Sequence, residues 1–315
     1  MSALLLLLLD TLFAGAQIGL VAISFAVIYR TTRHIHFAYA AIWTFVSYVF
    51  GSRLDAGNAP AMAFLIALGV ASLLSLACLG FYRRIHGEFA LVLASFGLYI
   101  AILGVQSSLW GPSQTGVMSN AALGRTWLAT VAGSRVAIPI VYVAHLVAML
   151  VAALALAWAL GRTRTGRHAV AVSENRMLAV VTGVRVTVIE IAAYVVSALL
   201  LTVSVSVQVS AVGSDVYTGT ELFIEALIVV IIAGPVIVRV VVAALLFGLV
   251  RSAAQSWLGT EWVMLATHLI LLLLILLRPH GLFSRDTLFR RETRWPAAAR
   301  TVPSIADARL TREGS

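Results

Sequence analysis

Seven side chains able to move protons, hold ions or hydrogen-bond a solute stand inside otherwise apolar stretches: Gln17, Ser24, His145, Glu190, Gln208, Glu225 and His268. A charge at the centre of a membrane helix costs roughly 2.5–3.5 kcal/mol on insertion scales, so such groups face a bundle interior or an aqueous path. Ser24 and Glu225, with the helix-breaking pair Gly234-Pro235, are the candidate lining of a translocation path; a helix–helix contact for Glu225 and a plain interhelical turn at Gly234-Pro235 are equally open readings. His145 and His268 have no companions at metal-ligand spacing, which argues against a metal site and for neutral imidazoles hydrogen-bonded between helices. No G-x-x-x-x-G-K-[ST] loop, G-x-G-x-x-G turn or C-x-x-C pair occurs, so the chain carries no recognisable means of hydrolysing ATP and no catalytic constellation.

These residues need helices to hold them, and the composition says where the helices lie. Of 315 residues, 61% are hydrophobic and 11% charged, against about 25% charged in a soluble domain; the mean hydropathy is +1.00. A helix crossing a hydrocarbon core of about 30 Å needs about 20 apolar residues. Candidate spans fall at 11–29, 36–51, 60–81, 88–110, 137–160, 188–210, 221–234, 236–256 and 262–277. The fold class expected is therefore all-α, a polytopic bundle of eight to nine membrane segments. The first residues mimic a signal peptide but lack a basic n-region and place Asp10 within the run, so they read as a short lead-in to the first span. Cys78, the single cysteine, lies inside a span and reads as a small core residue.

The formal charge of +9 comes from 22 basic residues, all arginine. They gather at the ends of apolar segments rather than on one soluble face, which points away from nucleic acid and towards membrane topology. Arg30 and Arg33, Arg83 and Arg84, the run from Arg162 to Arg185, and Arg285 to Arg294 alternate in the sense that sets the N-terminus outside and the C-terminus in the cytoplasm. Arg53, Arg125, Arg135 and Arg251 fall on the opposite side, and the connection 111–136 reads as a neutral external loop. That orientation requires an odd number of crossings: nine, or seven with the segments around "IIAGPVIV" forming a re-entrant hairpin. Residues 284–315 are polar and aperiodic, the pattern of a disordered cytoplasmic tail.

Between two long apolar runs stands "GRTRTGRHAVAVSENRMLAVVTGV", residues 161–184. It is too polar to span, yet Val172, Leu178, Val181 and Val184 keep three- and four-residue spacing. Ser173, Glu174 and Asn175 are cap-type residues ahead of a short helix, and Gly183 ends it. An amphipathic helix at the cytoplasmic surface follows, suited to lipid headgroups or to a groove in a cytoplasmic partner.

The same segment resembles the cytoplasmic coupling loop of the permease subunits of branched-chain amino acid ABC transporters. Arg162, Thr163, Gly166, Arg167, Ala171, Glu174, Asn175, Ala179 and Gly183 match that family's pattern in register, with Ser173 beside them. Gly15, Ala22, Tyr29, Ile35, Phe37 and Ala38 are similar to its N-terminal segment, "LVLASFGLYIAILGVQSSLWGP" is similar to one of its spans, and Arg278, Pro279, Gly281, Leu282 and Phe283 carry its terminal R-P-x-G-L-F. The chain departs from the family at "HFAYAA", where N-F-A-H-G-E is usual, and at "AGPVIVRVVVAALL", where a glycine-rich run is usual.

The resemblance implies a permease domain over 1–283, with its coupling loop at 161–187, in a bacterial inner membrane. It implies an importer for branched-chain amino acids or a related small solute, working by alternating access. The implied partners are a second homologous permease, two cytoplasmic ATPase subunits that use the ATP, an extracytoplasmic solute-binding protein and membrane lipid. No cofactor is expected on this chain itself. The residues alone also allow an ion-coupled secondary transporter, which would be expected to show paired broken helices, a membrane enzyme, or a scaffold whose basic loop holds anionic lipid.

Overall fold

The computed structural model describes residues 2–111, 126–131, 134–211, 213–259, 261–263, 265, 268, 269 and 273. All fall in one unit, Met1–Leu282. The last expected span, 262–277, is mostly outside the described residues; the terminal motif Arg278–Phe283 and the expected tail 284–315 are wholly outside them.

The described residues are almost entirely helical, and among them six helices are long and apolar enough to cross a membrane. The elements are α1 Ser2–Thr32, α2 Ala38–Asp55, α3 Pro60–Tyr82, α4 Glu88–Trp110, β1 Thr126–Val131, β2 Ser134–Pro139, α5 Ile140–Arg162, α6 Arg164–Glu174, α7 Arg176–Val181, α8 Val186–Ala211, α9 Thr218–Ala233 and α10 Ile237–Leu258. Two expectations need correction. The supposed lead-in is helical and continuous with the first span, as its leucine run favours. The supposed loop 111–136 and the start of the next span contain an antiparallel hairpin, β1 with β2, pairing Thr126 with Pro139 and Val131 with Ser134. Thr126, Trp127, Thr130, Val136 and Ile138 are β-branched or aromatic and suit strands, and Pro139, lacking an N–H, closes the ladder just before α5.

α1 is the central rod. Ile18, Leu20, Ala22, Ile23, Phe25 and Ala26 have no solvent exposure, because α5, α8, α9 and α10 surround them. Closest is α10, which runs antiparallel: Gly248 lies on Thr11 and Gly15, while Gly15 and Gly19 lie on Ala244 and Leu245. Missing Cβ atoms at both faces allow that approach, as in other membrane helix pairs. α3 uses the same device, burying Ala63, Ala67, Ala71 and Ser75 at four-residue spacing. α4 buries only Ser95 and Gln106 and turns Phe89, Leu93, Ile100 and Leu109 outward, the face expected of a helix against lipid.

α9 differs from the other apolar helices. Its 16 residues cover about 24 Å at 1.5 Å per residue, less than a hydrocarbon core. Its approach is folded inward: Ser214 bonds Ser47 at 3.0 Å, and Gly219 sits against Ala40, Trp43 and Thr44 of α2.

Candidate functional site: a helix pair bolted to the arginine-rich end

The polar segment 161–184 folds as two helices rather than one. α5 ends at Arg162, and Thr163 turns the chain by donating to the Ala159 carbonyl at 2.7 Å and accepting from the Gly166 amide at 2.9 Å. Gly166 sits directly on the backbone of Ala159 and Leu160, with no room for a Cβ, so the tight α5–α6 corner requires glycine. Arg167 closes the corner from outside, reaching the Arg162 carbonyl at 3.3 Å.

α6 ends at Glu174, and Asn175 leaves helical geometry to cap α7, its Oδ1 accepting from the Leu178 amide at 2.9 Å. α7 stops through Gly183 at φ +85°. The Val184 amide bonds the Ala179 carbonyl at 2.9 Å and the Gly183 amide bonds that of Val180 at 3.0 Å, a Schellman closure that favours glycine at this position. One side of the pair buries Val172 and Ala179 against Val186 and Ile189 of α8. The other side presents Met177, Leu178, Val180 and Val181, each more than half exposed, and Glu174 is exposed beside them.

Arginines join this pair to the bundle. Glu190 of α8, 5% exposed at its side chain, accepts from Arg176 of α7 at 2.6 Å and from Arg83, just past α3, at 3.0 Å. Ser173 accepts from Arg30 Nε of α1 at 3.3 Å through its hydroxyl, and from Arg33 through its carbonyl. Arg33 takes the left-handed backbone conformation, φ 60°, rare outside glycine, where its amide caps α1 on the Tyr29 carbonyl. Beneath lie His34 and His36. His36 Nδ1 meets the Tyr82 hydroxyl at 2.8 Å. Burial pushes His34 below the ordinary histidine range, partly opposed by the Thr32 backbone and Glu190, and burial takes His36 down to about 3. Both rings are neutral at pH 7.

The structure therefore gathers Arg162, Gly166, Arg167, Ser173, Glu174, Asn175, Ala179 and Gly183 into one feature. Composition pointed to Arg30, Arg33, Arg83 and Arg176 only as topology markers; their pairing with Ser173 and Glu190 carries no sequence signal beyond the unusual acid in a greasy helix.

The other intramembrane polar residues find partners across the bundle. Ser24, fully buried, donates to the Ser197 carbonyl at 2.8 Å and accepts from the Tyr39 hydroxyl at 2.8 Å, joining α1, α8 and α2. Gln17 donates to Gln208 at 2.8 Å. Glu225 holds Arg251 through both carboxylate oxygens, at 2.8 and 2.9 Å, so Arg251 is not a stray loop charge but half of an α9–α10 ion pair. Gly234, at φ +68°, ends α9 and, with Pro235, makes the break before α10. His145 departs from expectation: its Nδ1 meets Val141 of its own helix at 3.2 Å rather than a neighbouring helix. Among the described residues no group of three or more His, Cys, Asp or Glu side chains could hold a metal.

A bundle of apolar helices with ion pairs inside it and a polar helix pair fastened to one end is the architecture of a multi-pass membrane protein. Over residues 7–277 the chain matches the family described as the permease component of branched-chain amino acid transport systems, and it belongs to that family. No curated protein matches it, and no solved structure does.

Proposed function

We propose that this chain is the membrane-spanning permease subunit of an ATP-binding cassette importer for branched-chain amino acids or a related small solute. α6–α7 is its cytoplasmic coupling helix pair, and the N-terminus lies outside the cytoplasm, in a bacterial inner membrane. The observation that carries the reading is the two-faced helix pair. Met177, Leu178, Val180 and Val181 are exposed on one side, while the other is fixed to α1 and α8 by Ser173, Ala179 and Arg176. An exposed apolar helix face suits insertion into a groove of a soluble partner. The rigid attachments then transmit that partner's movement to the bundle.

The working assembly pairs this chain with a second homologous permease, two ATPase subunits that bind the ATP, and an extracytoplasmic solute-binding protein. Alternating access follows from the ATPases pressing on α6–α7. In this reading the chain has nine membrane segments. α9 is a short crossing completed by the inward-folded connection at Ser214, and Gly234-Pro235 lets α10 restart antiparallel to α1. Ser24 and Glu225 act as helix–helix joints beside the path rather than as its lining.

The test is co-purification of the ATPase subunits on the tagged chain, with solute uptake measured in parallel. Met177→Asp with Val181→Asp is expected to abolish both while the chain still reaches the membrane. Wild-type capture and uptake in that variant would overturn the proposal.

A further inference from the structure

At the end of the bundle opposite the arginine-rich face, α1, α5 and α10 line an open cavity of about 150 Å³. That is about five times the share of one water in the liquid, room for a small solute. Its walls carry two opposite charges. Asp10 stands on α1 and Arg251 on α10, and Gln17 and Gln255 also line it. Phe13 and Tyr142 stack on each other at 4.6 Å with an interplanar angle of 19°, an aromatic pair at one side of the cavity.

The charges are differently committed. Among the described residues, no hydrogen bond or ion pair engages the Asp10 carboxylate, although it sits inside an apolar span. Among the described residues, Arg251 is engaged only by Glu225, through Nη1, which leaves Nη2 and Nε as donors. The Glu225 contact fixes the guanidinium in place, and a carboxylate is the group its planar fork suits best. An uncommitted anion and a fixed, half-committed cation beside an aromatic wall form a receptor for a molecule that carries both charges and an apolar body.

We infer that this cavity is a solute-contact site for a small zwitterion of the α-amino acid type, its ammonium on Asp10, its carboxylate on Arg251 and its side chain on Phe13 and Tyr142. The assignment rests on the proposed permease reading for its orientation, which puts the cavity at the extracytoplasmic end, where a solute is received.

The test uses the full chain in lipid nanodiscs and radiolabelled L-leucine as probe. L-leucinamide, which keeps only the ammonium, and 4-methylpentanoate, which keeps only the carboxylate, serve as competitors. Each should compete at least about tenfold more weakly than L-leucine. Asp10→Asn, at an exposed position that folding tolerates, should lower affinity for L-leucine roughly ten- to hundredfold and erase its advantage over 4-methylpentanoate. Arg251→Gln with Glu225→Gln, which avoids a stranded buried carboxylate, should erase its advantage over L-leucinamide. Absence of saturable L-leucine binding in the wild-type chain, or unchanged affinity and selectivity in Asp10→Asn, would overturn the inference. Co-purification of the ATPases is scored on the same preparations. Retained capture with unaltered Asp10→Asn binding sinks this site alone, whereas capture unaffected by Met177→Asp with Val181→Asp sinks the permease reading.

Discussion

The Glu190 clasp predicts an asymmetry between its anion and its cations. Glu190 is 5% exposed at its side chain, whereas Arg83 is 36% and Arg176 57% exposed. Replacing Glu190 by Gln removes the buried charge and leaves two arginines that reach water, so the loss is that of partly screened pairs, about 1–2 kcal/mol. Replacing both arginines by Gln strands a carboxylate in a low-dielectric site, where breaking a buried pair costs roughly 3–5 kcal/mol. The triple variant should then be more stable than the double one, because removing Glu190 relieves the stranded charge. Thermal unfolding of the purified chain in detergent, followed by circular dichroism, reads all four proteins. A Glu190→Gln loss equal to or larger than that of the double arginine variant, or a triple variant no more stable than the double, would refute the view that Glu190 is the buried member of the clasp.

Gly248→Ala would place a Cβ within 2.8 Å of the Gly15 Cα and against the Thr11 carbonyl. Overpacking of this kind costs about 1–3 kcal/mol, seen as a lower unfolding temperature. Gly104→Ala on lipid-facing α4, with nothing within 4 Å, should instead gain about 0.5–1 kcal/mol of helix propensity; equal effects at both sites would contradict the close α1–α10 contact. His36, held down to about 3 by burial, stays neutral in the fold while an unfolded histidine, with its ordinary value near 6.5, takes up a proton. Stability should therefore be flat above about pH 6.5 and fall progressively from there towards pH 3. His36→Phe should flatten part of that slope, measured as the difference in unfolding temperature between pH 7 and pH 5, and an unchanged slope would speak against the buried neutral ring.

Apolar run length places helix boundaries to within a few residues for α3, α4, α8, α9 and α10, because a hydrocarbon core sets length and composition together. The caps of α7 were equally legible: Asn175 and Gly183 owe their places to local backbone chemistry. The hairpin β1–β2 was not, since its strands are short and adjoin a longer apolar run. Nor was the pairing of Glu225 with Arg251, 26 residues apart, or of Glu190 with Arg83, 107 residues apart. A polar residue in an apolar helix announces that it has a partner, but its identity depends on which helices touch. That is fixed by small-residue faces such as Gly15, Gly19 and Gly248, whose spacing along one helix does not name the helix they receive.

The two polar ends of the bundle share one element. α1 carries Asp10, Phe13 and Gln17 at the cavity, Ser24 in the Tyr39–Ser197 joint, and Arg30 on Ser173 at the helix pair. A continuous helix of 31 residues is stiff along its axis, and among the described residues it has no internal proline or φ reversal before Arg33. In the proposed coupling, a displacement applied at Ser173 would move the cavity wall as a body rather than dissipate in a hinge. Its neighbours differ in that respect: α9 and α10 are separated by the Gly234 reversal, so Glu225 and Arg251 sit on opposite sides of a joint. If α6–α7 is driven from the cytoplasm, α1 is the rod that carries the motion and the α9–α10 break is where the bundle yields. Arg251, bridging that break and lining the cavity, is then where the proposed movement would meet the proposed solute site.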